Sequence, residues 1–160
     1  AAADAAAHGG HTPLRLAVQG QRAGLVQILL EHRASPDVAT QMGNTPLHLA
    51  ASEGYAEVAH ALLQSQAAVD PRTNMGHAPL HLCASEGHRE LSLLLLRYRA
   101  DVNTATQSGH TALTFSSSRG DAEVVRALLD RRACANAASG DGRRPLHVAG
   151  AEGHLGVAKL

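Results

Sequence analysis

The feature that most constrains this chain is an internal repeat with a period of 33 residues. The tripeptide Thr12-Pro13-Leu14 returns as Thr45-Pro46-Leu47, and related tripeptides begin at Ala78, Thr111 and Arg144. A glycine stands two residues before each tripeptide, at Gly10, Gly43, Gly76, Gly109 and Gly142. Because the register never slips, we predict a solenoid in which similar units stack on one another.

Each unit reads as two short helices. Thr45 is suited to cap a first helix, since its hydroxyl can accept from free N–H groups of the first turn, and Pro46 fits the first helical position. Gly54 is placed to end that helix, and an apolar stripe from about 56 to 64 predicts a second one. Neither helix is long enough to be stable alone, so each must bury its apolar face against the next pair.

Composition agrees with a helical array and narrows the function classes. The chain is 44% hydrophobic and only 2% aromatic, so its core must be built from Leu, Val and Ala. Lys plus Arg and Asp plus Glu number 14 each, which argues against attraction to nucleic acid or an anionic membrane. No apolar run approaches the roughly 20 residues of a membrane-spanning helix, so no membrane insertion is expected. Two distant cysteines favour a reducing intracellular location, in the cytoplasm or the nucleus.

The segment Thr45-Pro46-Leu47-His48-Leu49-Ala50-Ala51 closely resembles the ankyrin repeat signature, and segments 78–84 and 144–149 are near matches. The resemblance covers essentially the whole chain. It implies an all-α ankyrin-repeat solenoid of helix-turn-helix pairs, with β-hairpin-like loops projecting nearly at right angles. The loop tips and first helices would then line a concave surface that binds another protein.

The repeat register also predicts boundaries. Residues 1–9 read as the closing loop of a preceding repeat, followed by repeats at 10–42, 43–75, 76–108 and 109–141 and a truncated repeat at 142–160. Both ends therefore fall inside a repeat, and we expect the chain to be part of a longer polypeptide.

Several positions depart from the family pattern. The residue after the second helix, usually glycine, is instead Arg33, Gln66, Arg99 or Arg132. Either these residues accept a left-handed backbone, at a cost on the order of 1 kcal/mol, or the helix end is reshaped. Thr40, Thr73, Thr106 and Ser139 replace an early loop Asp and are expected to bond to nearby backbone. Phe115 is expected at an inner position that is Leu elsewhere, and Gln21, preceded by Gly20, should shift the first helix end.

Eleven histidines raise the question of a metal site, but the repeat pattern accounts for most of them. His48, His81 and His147 occupy the signature position, where the resemblance implies a bond to the backbone of an adjacent loop. His88 and His154 follow the helix-ending glycine, a common surface position in the family. His77 and His81 need not share a face, and no Cys–His cluster has ligand spacing. We therefore expect no metal and no cofactor.

Catalytic and nucleic-acid functions are not favoured either. The sequence lacks a phosphate-binding loop, a nucleophile elbow and a zinc-protease helix, so no catalytic residue, enzyme activity or small-molecule substrate is predicted. Arginines concentrate in the later half, at Arg97, Arg99, Arg131, Arg132, Arg143 and Arg144. Most of these fit solvated helix faces and loops, which makes nucleic-acid binding an unfavoured alternative.

The candidate partner-binding surface consists of positions free to vary while the scaffold stays fixed. One row lies at the loop tips: Gln41, Met42, Asn44, Asn74, Met75, His77, Gln107, His110 and Arg143. A second row lies at the ends of the first helices: Glu53, Glu86 and Arg119, with Glu152 continuing an acidic stripe that Arg119 interrupts. Met42 and Met75 are predicted to be exposed and are plausible anchors for a partner side chain.

The predicted function is a non-catalytic scaffold that binds a partner protein or peptide across Met42, Glu53, Met75, His77 and Glu86. Two alternatives stay open. The array could be a structural spacer that packs by its edges and convex side within a large assembly, or it could be a microbial effector domain.

Overall fold

The computed structural model describes residues 12–160, which form ten α-helices in five successive pairs. The helices are α1 (Pro13–Gln19), α2 (Ala23–Glu31), α3 (Pro46–Glu53), α4 (Ala56–Gln64), α5 (Pro79–Glu86), α6 (Arg89–Arg97), α7 (Ala112–Arg119), α8 (Ala122–Asp130), α9 (Pro145–Ala151) and α10 (Leu155–Ala158). The predicted closing loop at 1–9 and the start of the repeat at 10–42 lie outside the described residues. None of the described helices has the length and apolar character needed to cross a bilayer.

The first helix of the second pair, α3, begins and ends where the sequence predicts. The Thr45 hydroxyl accepts from the His48 N–H at 3.4 Å, and the His48 Nδ1 accepts from the Thr45 N–H at 3.1 Å, so two free donors are satisfied. Ala78 has no hydroxyl, yet the His81 Nδ1 still accepts from its N–H at 2.9 Å. Gly54 closes α3 with φ of 77°, a left-handed conformation that glycine adopts without strain.

The second helices end in strained backbone rather than in a reshaped turn. Arg33, Gln66, Arg99 and Arg132 have φ between 63° and 64°. After α4, the Gln66 N–H donates to the Leu63 carbonyl and the Ala67 N–H to the Leu62 carbonyl, both at 3.1 Å. These bonds satisfy the last free carbonyls of the helix, and the buried Ala67 packs beneath it. Of the two expectations for these positions, the strained one is therefore correct.

Stacking buries one continuous apolar layer. The first helices α1, α3, α5, α7 and α9 pack side by side, and the second helices form a parallel outer layer. Leu47 in α3, Leu80 in α5 and Leu113 in α7 are each at most 2% exposed. Burying one such leucine contributes about 1.5–3 kcal/mol, so cohesion depends on contacts between neighbouring units.

The loops between pairs form a ladder of turns joined by hydrogen bonds. Within one loop, the Gly76 N–H donates to the Thr73 carbonyl at 2.8 Å and the His77 N–H to the Thr73 Oγ1 at 3.1 Å. Between loops, the Asn74 N–H donates to the Met42 carbonyl at 3.0 Å. The predicted side-chain bonds are present at all four positions, although Ser139 donates its hydroxyl to the Arg143 carbonyl. The only bridge pairing among residues 12–160 joins Ala105 and Thr111.

Two local expectations need comment. The helix end in the first pair is shifted as predicted, because α1 stops at Gln19 and Gln21 takes φ of 54°. Phe115 stands where Leu82 and Leu49 stand one and two repeats earlier, as expected, but all three side chains are only half-buried and pack against the edge of the core. This register lies beside the loops, where the Phe115 ring meets the rings of His77 and His110.

Candidate partner-binding surface

The loop tips present two exposed methionines on a rigid backbone. Met42 is 59% exposed and Met75 is 56% exposed. Their main chains are fixed, because the Asn74 N–H donates to the Met42 carbonyl and the Gln107 N–H donates to the Met75 carbonyl at 3.1 Å. The two methionine side chains therefore project from main chain whose position is fixed.

Not every predicted tip residue is free to meet a partner. The Asn74 Nδ2 donates to the Gln41 carbonyl at 3.0 Å, and the Gln107 Nε2 donates to the Asn74 carbonyl at 2.7 Å. These amides tie neighbouring tips together, so their first role is to hold the loop spacing. The Arg143 guanidinium pairs with Asp141 at 3.3 Å within its own loop.

The row at the ends of the first helices contains a structural member. Glu53 and Glu86 are exposed. The Arg119 Nη2 instead donates to the Glu86 carbonyl oxygen at 2.8 Å, across the junction between two repeats. Arg119 therefore satisfies a free carbonyl at the end of α5, as well as interrupting the acidic stripe.

Histidines make the corresponding contact at two other junctions. The His88 Nε2 lies 2.9 Å from the Ser52 carbonyl oxygen, and the His154 Nε2 lies 2.8 Å from the Ser118 carbonyl oxygen. The view of these histidines as ordinary surface residues is wrong, because both are half-buried between repeats. The preceding glycine makes room, since a Cβ at Gly54 would lie 2.5 Å from the His88 Nδ1. We call these contacts junction staples.

The junction between the third and fourth units uses a different set of partners. Asp121 stands where His88 stands one repeat earlier, and Arg119 supplies the staple there. The Asp121 carboxylate caps α8 by accepting from the Val124 N–H at 3.3 Å, and it also pairs with the Arg89 Nε at 3.0 Å. Three charged residues thus replace one histidine.

A cluster of aromatic rings lies where the loops meet the concave face. Phe115 contacts three imidazoles, with ring centroids 6.3 Å from His77, 5.9 Å from His81 and 5.6 Å from His110. His77 and His81 also lie edge to face, with their ring centroids 6.2 Å apart. The two rings are therefore neighbours, although the sequence pattern gave no reason to expect them on one face. We call His77, His81, His110 and Phe115 the aromatic cluster.

The buried signature histidines are neutral structural groups. The Nδ1 of His81 accepts a backbone N–H, so its Nε2 carries the proton and donates to the Thr104 carbonyl at 2.8 Å. Burial lowers the pKa of His81 to about 4. Burial likewise lowers the pKa of His48, whose Nε2 lies 3.0 Å from the His77 carbonyl. The predicted bond to an adjacent loop is therefore present for both, whereas His147 contacts its own cap, the Arg144 N–H, at 3.2 Å.

A family model that describes three consecutive ankyrin repeats matches the chain over residues 2–75 and again over residues 80–160. The chain belongs to the ankyrin repeat family. No characterised protein matches it at a significant level. The family assignment agrees with the helix pairs, the capped first helices and the loop ladder, and it confirms the predicted helical ankyrin solenoid. Ankyrin repeats are generally protein–protein interaction modules, and the family is typically non-catalytic.

The side chains that could take part in metal binding or catalysis are dispersed or engaged among the described residues of this ankyrin array. Within residues 12–160, no three His, Cys, Asp or Glu side chains are grouped to hold a metal ion. In the aromatic cluster, both nitrogens of His81 are occupied by backbone. Cys83 is fully buried, and burial raises the pKa of its thiol to about 12, which suppresses the reactive thiolate.

Proposed function

We propose that this ankyrin array is a non-catalytic scaffold that binds a partner protein or peptide along its concave face and loop tips. The observation that carries the proposal is the pair of exposed methionines, Met42 and Met75, on loops joined by backbone hydrogen bonds. Burying one such side chain contributes about 1.5–3 kcal/mol, and a fixed backbone lowers the entropy lost on binding. Glu53, Glu86 and His77 supply polar contacts at the rim of the same strip.

The remaining predicted tip and helix-end residues have supporting roles in this proposal. Asn74 and Gln107 keep adjacent tips at a fixed spacing through their amide bonds to the next loop. Two unpaired cysteines, Cys83 and Cys134, suit a reducing environment, and we place the protein inside the cell, in the cytoplasm or the nucleus.

The test compares partner capture by the wild-type chain and by Met42→Asp/Met75→Asp, with bound proteins quantified by mass spectrometry. The double variant should lose its specific partners by more than tenfold, because two anchors become hydrated charges. Ile28→Asp is the matched control, since Ile28 is 53% exposed on the second helix α2, away from the tips. If a folded double variant retains the same partners in the same amounts, the methionine strip is not the binding surface.

One feature favours the spacer alternative. A shallow groove of about 360 Å³ runs between α4 and α6 on the outer face and contains Leu93, Leu94 and His60. An array that packs by its convex side would use this groove. Leu94→Asp would then remove partners that Met42→Asp/Met75→Asp leaves bound, and the reverse pattern supports the concave scaffold.

A further inference from the structure

The last residue of each loop belongs to a row of side chains that can donate hydrogen bonds. At successive repeats this register holds Asn44, His77, His110 and Arg143. Each of these residues precedes the residue that caps a first helix, so the row runs along the stacking direction. It contains hydrogen-bond donors and groups that are or can become cationic, and no carboxylate.

Two members of this row share an apolar support. The rings of His77 and His110 are both tilted 33° to Phe115, at centroid distances of 6.3 Å and 5.6 Å. Both histidines are half-buried, and the structure gives the His77 imidazole no hydrogen bond within residues 12–160. Burial, followed by the neighbouring His110, lowers the pKa of His77. An anion placed against the pair would relieve that repulsion and accept from the His77 imidazole, whereas the His110 Nδ1 already lies 3.3 Å from the Ser108 carbonyl oxygen.

The charged groups and helix ends around the loop row favour an anion over a cation there. Arg72 lies beneath it, with its Nη2 donating to the Gly76 carbonyl at 3.3 Å and also to the Ala105 carbonyl. The positive ends of α5 and α7 point to the same edge, which adds a favourable dipole. His81 stays neutral above its pKa of about 4. The carboxylate nearest to the row is Asp141, which already pairs with Arg143.

The acidic residues of the concave face lie at the opposite ends of the first helices. Glu53 and Glu86 are separated from the loop row by an eight-residue helix, which is about 12 Å long. An acidic segment is therefore drawn to the loop side of the groove and repelled from the helix ends.

The spacing of the row matches an extended peptide. Packed helices lie about 8–10 Å apart, so equivalent residues of neighbouring repeats are separated by roughly that distance. A polyproline II chain has three residues per turn and rises about 3.1 Å per residue, which places every third side chain on one face about 9.3 Å apart. Carboxylates three residues apart can therefore meet His77, His110 and Arg143 in turn.

Building on the proposed scaffold function, we propose that its partner is an acidic, extended segment with carboxylates at every third residue. These carboxylates pair with His77, His110 and Arg143, and the segment's backbone lies over Phe115. A bound carboxylate favours the protonated form of the half-buried His77 imidazole, so binding strengthens as the pH falls. The surface thus prefers an acidic partner and binds it more tightly in mildly acidic conditions.

The test measures fluorescence anisotropy of a labelled peptide containing four copies of Glu-Pro-Pro, titrated with the 160-residue chain. An uncharged peptide of four Gln-Pro-Pro copies and a peptide of equal composition with its four Glu contiguous are the controls. The spaced acidic peptide should bind roughly three- to tenfold more tightly than the contiguous one. Its affinity should rise by a similar factor from about pH 7.5 to about pH 5.5, where glutamate remains ionised.

Substitutions distinguish binding at the aromatic cluster from attraction to the overall charge of the chain. His77→Asn/His110→Asn should abolish the pH dependence and weaken binding, and His77→Lys/His110→Lys should keep tight binding at both pH values. His32→Asn/His60→Asn removes two exposed histidines elsewhere and should change nothing. Circular dichroism confirms that each variant folds.

Several results would overturn the inference. These are equal affinity for the spaced and contiguous peptides, insensitivity to His77→Asn/His110→Asn, or tighter binding of a single-stranded oligonucleotide than of the acidic peptide. If the peptide fails while Met42→Asp/Met75→Asp still abolishes partner capture, the acidic-segment inference is wrong and the scaffold function stands.

Discussion

The four strained helix ends predict that glycine would stabilise this array. Arg99 has φ of 63° and an exposed side chain that makes no hydrogen bond or ion pair within residues 12–160. The bonds that define its turn, from the Arg99 N–H to the Leu96 carbonyl and from the Ala100 N–H to the Leu95 carbonyl, are both 3.1 Å long and use only backbone. Arg99→Gly therefore removes strain and leaves every native bond intact.

The magnitude is a difference between two opposing effects. A left-handed residue with a Cβ costs about 1–2 kcal/mol, which glycine recovers. Glycine also gives the unfolded chain more freedom, which costs about 0.4–1 kcal/mol. The free energy of unfolding should therefore rise by about 0.5–1 kcal/mol for Arg99→Gly. Because Arg33, Gln66, Arg99 and Arg132 lie in different repeats, their effects should add to about 2–4 kcal/mol in the quadruple variant.

The assay is urea denaturation followed by circular dichroism, with the midpoint and slope both fitted because repeat arrays can lose cooperativity. Arg97→Gly is the control, since Arg97 is the last residue of α6 and glycine there costs about 1 kcal/mol. The quadruple variant should also melt roughly 5–10 °C higher. The reasoning fails if Arg99→Gly lowers the midpoint or if Arg97→Gly and Arg99→Gly shift it in the same direction.

Three further predictions concern other features of the fold. Gly54→Ala should destabilise the array by about 2 kcal/mol or more in urea titrations, because φ of Gly54 is 77° and the new Cβ would lie 2.5 Å from the His88 ring. Gly24→Ala is the control, since a Cβ at Gly24 meets no atom within 4 Å. A thiol reagent should modify one cysteine quickly in the native protein, the exposed Cys134, and reach the buried Cys83 only after unfolding; two fast equivalents would contradict this. Burial holds the pKa of His81 at about 4, so the unfolded chain binds the extra proton and stability should fall, by on the order of 1–2 kcal/mol, as pH drops from about 6.5 toward 4; His81→Gln should flatten that dependence.

The sequence predicted those features of the fold that depend only on a residue and its neighbours within the same repeat. The second helix of the second pair was expected at about 56–64 and is observed at Ala56–Gln64. Gly54, Thr45 and Pro46 act locally, through backbone conformation and the first-turn donors, so their types alone identify their positions. At Arg99 the sequence left two possibilities, a left-handed residue or a reshaped helix end, and the structure has the left-handed residue.

Contacts between repeats were harder to predict. The role of His88 depends on the contact of its side chain with the Ser52 carbonyl oxygen in the preceding unit. The residue type at a repeat position does not show which atoms of the neighbouring unit it contacts. A usable signal was nevertheless present, because Asp121 replaces the histidine in the same unit in which Arg119 appears. The sequence also contains a signal for the contact between His77 and Phe115. Stacking brings residues 33 positions apart together, and Phe115 lies five positions after His110, the equivalent of His77 in the next repeat.

The unequal junction staples limit how this array can change its length. Removing residues 109–141 would keep the register and leave His154 facing Ser85 in place of Ser118, so a histidine would again meet the end of a first helix. Removing residues 76–108 would instead place Asp121 opposite Ala56, without the arginine it pairs with now. Asp121 therefore depends on Arg89 in the unit before it, and deletion of a single unit is tolerated better at one boundary than at the other.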